Sequence, residues 1–184
     1  MISYNNIPFT AKYIASASVL KADRLSGKEE PCNVSFIELD PLNPYDTDTV
    51  STASKIWGSP EYSKAISNSM QSLLSNNERN IKQPEKKFYA ITSQRKYFTI
   101  ANPEEILALC ELLPEDKVRI SYLQVNPDSY LEYNHIGSSM LSSLKNLYKD
   151  KILQLCAVKR LKPFYHANGF KESKDNSTIM YFEA

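Results

Sequence analysis

Apolar residues recur along this chain in two rhythms, one near two residues and one near 3.6, and together they divide it into segments. Residues 12–20 are rich in small, β-branched and aromatic side chains and suit a strand, although the Ala and Ser of 13–20 would also allow a short helix. Residues 33–39 form a second apolar run, separated from the first by the polar stretch 25–31 with its Ser26-Gly27. Pro41-Leu42-Asn43-Pro44 breaks the chain, and Asp48 is placed to cap a helix over 49–57 that Gly58 ends. Ser59-Pro60 gives a strong start to a second helix, with Tyr62, Ile66, Met70, Leu73 and Leu74 on one face. Residues 76–84 read as a polar loop.

Three strands are expected next, over 87–93, 105–112 and 118–125, with Pro114-Glu115-Asp116 turning between the last two. Because Asn102 and Pro103 are helix-start residues, a helical turn over 106–113 stays open. Ile136, Met140, Leu141, Leu144, Leu147 and Tyr148 then mark an amphipathic helix, followed by a short strand over 152–157. Pro163 fits the first turn of a short helix that Asn168-Gly169 would close in the left-handed conformation. Residues 170–172 and 178–182 flank Lys174-Asp175-Asn176-Ser177 as a terminal hairpin. This order predicts an α+β chain, a mixed sheet covered by helices on both faces.

At 184 residues the chain is long enough for one domain with a real core. Its charged residues, 23% of the total, nearly cancel to +1, which gives no electrostatic case for nucleic acid as a partner. Cys32, Cys110 and Cys156 are too few and too dispersed for a disulfide framework, and Cys110 and Cys156 are expected as buried thiols in apolar runs. With only His135 and His166 in the chain, no metal site is expected. No secretory signal is read at residues 1–8 and no run is long enough to span a bilayer, so the expected location is cytoplasmic.

Two motifs carry specific chemistry. Small residues, Gly137, Ser138 and Ser139, open the best helix of the chain directly after a strand, where free N–H groups and the dipole end favour an anion. Farther on stands Phe164-Tyr165, four residues before Gly169-Phe170. In these two places the chain resembles the GNAT superfamily of N-acetyltransferases. The diphosphate signature Gln/Arg-x-x-Gly-x-Gly/Ala aligns with Glu132-Tyr133-Asn134-His135-Ile136-Gly137, with His135 at a usual glycine and Glu132 at a usual Gln or Arg. The resemblance extends over residues 34–184. It implies a GNAT-like acyl-CoA N-acyltransferase fold with a mostly antiparallel central sheet, in which residues 1–33 are an N-terminal extension or extra hairpin.

The same resemblance implies acetyl-CoA as co-substrate and a primary amine as acceptor, by direct transfer in a ternary complex. A non-catalytic module of the same fold with weak or no coenzyme A binding is the other reading. The main chain of Tyr133, Asn134, His135, Ile136, Gly137 and Ser138 would hold the diphosphate, and that of Leu123 and Val125 the pantetheine. Tyr165 would protonate the departing thiolate; a phenol suits this because its pKa lies near that of a thiol. A histidine at 135 is compatible with the motif if its backbone keeps an ordinary conformation. Val158 and Leu161 replace the usual asparagine and small residue before the Phe-Tyr pair. No general base stands out: Glu111 is the first position to test, then Glu38 and Asp40. Cys156 is rejected as a nucleophile, and homodimerisation is left open.

Overall fold

A computed structural model describes residues 11–23, 25–57, 61–78, 85–94 and 104–183. Nine strands form one sheet, in the order β6-β1-β2-β3-β4-β5-β7-β9-β8. Among the described residues the first elements are β1 (Lys12–Ala22) and β2 (Glu29–Leu39), an antiparallel hairpin. Pro31 is tolerated inside β2 because β3 pairs only with Ser35–Leu39, so the stretch around Pro31 has one free edge.

Helix α1 (Pro44–Ile56) begins earlier than the sequence suggests. Asn43 is its N-cap, its side chain accepting from the Tyr45 N–H at 2.9 Å, and Pro44 fills the first helical position; Asp48 therefore lies inside the helix. Helix α2 (Glu61–Glu78) runs on into the expected loop; its proposed start at Ser59-Pro60 and the stop at Gly58 lie outside the described residues, as does most of the loop over 79–84.

The three central strands β3 (Lys87–Gln94), β4 (Glu104–Pro114) and β5 (Val118–Val125) follow as antiparallel neighbours. The strand alternative over 105–112 holds, and the helix-start pair Asn102-Pro103 lies outside the described residues. A 3-10 turn at Pro127–Leu131 leads to the two-residue β6 (Tyr133–Asn134) and then α3 (Ile136–Leu147). β7 (Leu153–Cys156) is parallel to β5, the one parallel pairing among the described strands. A short α4 (Lys162–Ala167) and the hairpin of β8 (Lys171–Glu172) with β9 (Ile179–Phe182) complete the chain, and Gly169 closes α4 at φ +81° as expected.

Each face of the sheet has its own core. On one, Met140, Leu141 and Leu144 of α3 and Tyr165 of α4 pack with Phe36, Tyr89, Cys110 and Leu155. On the other, Val50 and Trp57 of the first helix region and Ile66 and Met70 of α2 cover Ile37, Phe88, Ala90 and Leu109. Cys110 is fully buried, but Cys156 is exposed. In β7 Leu153 and Leu155 take the inward face, so the period of two turns Gln154 and Cys156 to the other side.

Candidate active site

The site begins with an irregularity in the middle of the sheet. Along β5, Tyr122 pairs with Glu111 but Ile120 already pairs with Leu112, so Ser121 is an extra residue with no partner in β4. A bulge of this kind bends its strand and shifts the main-chain alternation by one. Before it, the Val118 N–H donates toward β7, to the carbonyl of Ile152 at 2.9 Å. After it, the Asn126 N–H donates the opposite way, to the carbonyl of Leu107 in β4 at 2.8 Å. Alternation from Asn126 back up the strand directs the peptide groups of Gln124 and Tyr122 to β4, and those of Val125 and Leu123 away from it. On that side β7 pairs only with Val118, Arg119 and Ile120. Leu123 and Val125 thus present main-chain donors and acceptors to a gap where two parallel strands part. One of them is covered from within: the Gln124 side chain donates from Nε2 to the Val125 carbonyl at 2.6 Å.

At the mouth of this gap lies the turn into α3. Glu132 and β6 run beside β1, with the Ala22 N–H donating to the Glu132 carbonyl and Leu20 paired with Asn134. That register turns the Asn134 amide toward β1 and away from any ligand. Tyr133 is buried, its hydroxyl bonded to Ser93 Oγ at 3.4 Å and its ring under Lys21 Nζ at 5.3 Å. His135 has φ 63° and ψ 17°, and no side-chain cap bond. The condition of an ordinary backbone at this histidine is therefore not met. The chain turns from β6 into α3 through the left-handed region. Glycine reaches that region freely; a histidine there costs about 1–2 kcal/mol. Ser139 N–H already bonds the His135 carbonyl at 2.8 Å. The amides of Ile136, Gly137 and Ser138 are the first-turn groups that the helix itself cannot satisfy. Ile136 points its side chain into the core, Ser138 is half-buried and the His135 ring is exposed.

Helix α4 supplies the third wall. Gly137 is small for a reason the sequence did not reveal: a Cβ there would sit 3.1 Å from Phe164 Cζ and 3.5 Å from Val125 Cγ2. Phe164 thus rests on the start of α3 beside the end of β5, at the entrance to the gap. Tyr165 is buried, its ring 5.1 Å from that of Phe164 and 5.9 Å from that of Phe170. Burial pushes its phenol up to about 12, with the nearby Cys110 and Tyr62 adding to the shift. The phenol is a proton donor throughout the neutral range.

Across the sheet, Glu111 faces α2. It stands opposite Tyr122 on β5 and Phe88 on β3, and Phe88 belongs to the core under α1 and α2. Its carboxylate is 2% exposed; Oε1 lies 3.4 Å from Lys86 Nζ, which also donates to Ser69 Oγ of α2 at 2.6 Å. Oε2 is buried with no hydrogen-bond partner among the described residues. Tyr122 in turn lies against Tyr62, ring centroids 5.9 Å apart. Tyr62, Tyr122 and Glu111 therefore line one side of the sheet and Tyr165, Phe164 and Gly137 the other, joined at the gap. Glu38 is engaged elsewhere, by Lys87 at 3.1 Å, and Asp40 accepts the Leu42 N–H. His166 is held outside the site by the Phe170 carbonyl at 3.0 Å and Glu172 at 3.2 Å, and Val158 is exposed. Among the described residues no group of His, Cys, Asp and Glu is arranged for a metal ion, and no helix is long and apolar enough to cross a membrane.

Several solved structures share this fold. One, a protein from Desulfovibrio desulfuricans assigned to the GNAT acetyltransferase family, superposes with a TM-score of 0.55 at 13% identity, over 82% of this chain and 98% of that one. The chain has the GNAT fold. An acetyltransferase structure from Exiguobacterium gives 0.54 at 14% identity, over 83% and 94% of the two chains. A GNAT-family acetyltransferase from Staphylococcus aureus Mu50 gives 0.52 at 17%, over 80% and 97%. No protein-family model and no curated protein matches the sequence. The mostly antiparallel sheet expected from the resemblance is the one observed, and β1 pairs on both sides, with β2 and with β6.

Proposed function

We propose that this protein is an acetyl-CoA-dependent N-acetyltransferase acting on a primary amine by direct transfer. The observation that supports it most is the parting of β5 and β7 beyond Ile120, where the main chain of Leu123 and Val125 turns away from β4 and toward the opening. An extended amide-bearing arm such as pantetheine would add to β5 there as an extra strand, through main-chain bonds alone. Its diphosphate would then meet the amides of Ile136, Gly137 and Ser138. The acceptor would arrive from the α2 side, with Glu111 taking a proton from its ammonium directly or through water. Attack of the neutral amine on the thioester carbonyl would form the C–N bond and break the C–S bond; the thiolate would receive the Tyr165 proton, and the proton shed by the nitrogen would return through water to the phenolate. Calorimetric titration with acetyl-CoA tests the reading: micromolar or tighter binding is expected, and the absence of heat at protein concentrations able to detect it would refute it.

One set of observations favours the alternative, a GNAT-like interaction module without catalysis. Phe164 lies against Gly137 at the slot entrance and Gln124 covers the Val125 carbonyl, so the slot is closed by the protein's own side chains. Both groups would have to move for a donor to enter.

A further inference from the structure

Away from the gap, an open cavity of about 780 Å³ lies along the outer side of α4. The helix explains its position. α4 sends Tyr165 into the core with Phe164 packed beside it, which leaves Lys162, Pro163 and His166 turned from that core. Those three residues, the end of β7 and the turn before β9 make the walls. The floor is apolar: Ala157 is buried beneath it, while Val158 and Pro163 are exposed. A single exposed apolar group means little, but several lining one concavity of this size are typical of a small-molecule site.

The polar groups fix the sign of the ligand. Glu172 is the one carboxylate in the lining, and both its oxygens are taken. Lys162 Nζ donates to Oε2 at 2.8 Å, and His166 Nε2 lies 3.2 Å from Oε1. The Thr178 hydroxyl donates to Asn176 Oδ1 at 2.7 Å. Lys159 and Ser177 remain, neither side chain with a partner among the described residues. Two lysines against one glutamate, with the histidine counted as neutral, leave a single positive charge in excess. A monoanion matches that count; a phosphate dianion would bring surplus charge close to Glu172.

We infer that this cavity binds an amphipathic monocarboxylate, its hydrocarbon on Ala157, Val158 and Pro163 and its carboxylate on Lys159 and Ser177. The inference goes beyond the acetyltransferase reading and does not depend on it.

Cys156 reports occupancy without any substitution, because it lines the cavity and is the exposed one of the three cysteines. Its alkylation by iodoacetamide in the native protein is followed by mass spectrometry, with Cys32 as the internal control. Hexanoate is expected to slow that alkylation at a concentration at least about tenfold below hexanol, hexylammonium or acetate, with Cys32 unaffected. Lys159→Gln should raise the hexanoate concentration needed severalfold and leave that of hexanol unchanged. Equal protection by hexanoate and hexanol, stronger protection by hexylammonium, or no protection at all would overturn the inference. Calorimetric titration of coenzyme A into hexanoate-saturated protein separates the two sites: the same affinity as without hexanoate is expected. Mutual exclusion would assign the cavity to the donor site and sink the inference, whereas failure of coenzyme A to bind under either condition counts against the acetyltransferase reading alone.

Discussion

The gap in the sheet and the turn before α3 would serve one donor, yet they are built on different terms. The gap is made of register: one extra residue at position 121 redirects the peptide groups of Leu123 and Val125, and many side chains could occupy those positions. The turn is made of residue types, and this chain supplies an awkward one, a histidine at φ 63°. Backbone recognition survives sequence divergence because it asks little of side chains. A glycine motif does not, since its function is the absence of a side chain. The stronger half of the proposed donor site would therefore be the half with no recognisable motif.

Four substitutions test that contrast, in falling order of expected effect. Tyr165→Phe removes the proposed proton donor; turnover should drop by about 10²–10³-fold, with donor affinity changed less than twofold. The same variant has a signature in stability. Because the phenol is raised to about 12 in the fold, its contribution is complete below the unfolded value near 10 and lost as pH climbs through 12. Alkaline unfolding curves should show wild type losing on the order of 2 kcal/mol over that window that Tyr165→Phe does not lose.

Phe164→Ala takes away the ring at the entrance. Stability should fall by about 2 kcal/mol, as for a partly buried aromatic, while coenzyme A binds more tightly. Weaker binding would mean that the ring forms part of the donor site and does not obstruct it. His135→Gly should raise stability by about 0.5–1 kcal/mol in urea denaturation, the relief of a left-handed histidine less the entropy a glycine adds to the unfolded chain. A loss of stability would show that the imidazole holds the turn in some way its exposure does not suggest. Gln124→Ala frees the Val125 carbonyl and should tighten coenzyme A two- to threefold, at a stability cost of about 0.5–1 kcal/mol for the lost bond.

Much of this was readable beforehand, and the failures have physical causes. The α3 helix, the β5 strand and the Gly169 closure follow from local period and backbone preference, and all three hold. Asp48 was misread because both it and Asn43 are capping types, and only Pro44 at the first position decides between them. Cys156 was placed in the core because an apolar run does not say which of its alternating faces a helix covers. Gly137 has a further reason to be small: a Cβ there would come within 3.1 Å of the ring of a residue 27 positions later. Lys86, Ser69 and the unsatisfied oxygen of Glu111 could not be foreseen at all, since they come from three separate elements.

The pairing of β6 with β1 reaches beyond topology. Lys21 and Ala22, close to the end of the first hairpin strand, hold the stretch from which His135 and the opening amides of α3 are suspended. In the donor reading proposed above, the cradle for phosphates would hang from β1. Shortening the protein to residues 34–184, the span the motifs alone would recommend, would cut that suspension while keeping every residue proposed to line the donor pocket.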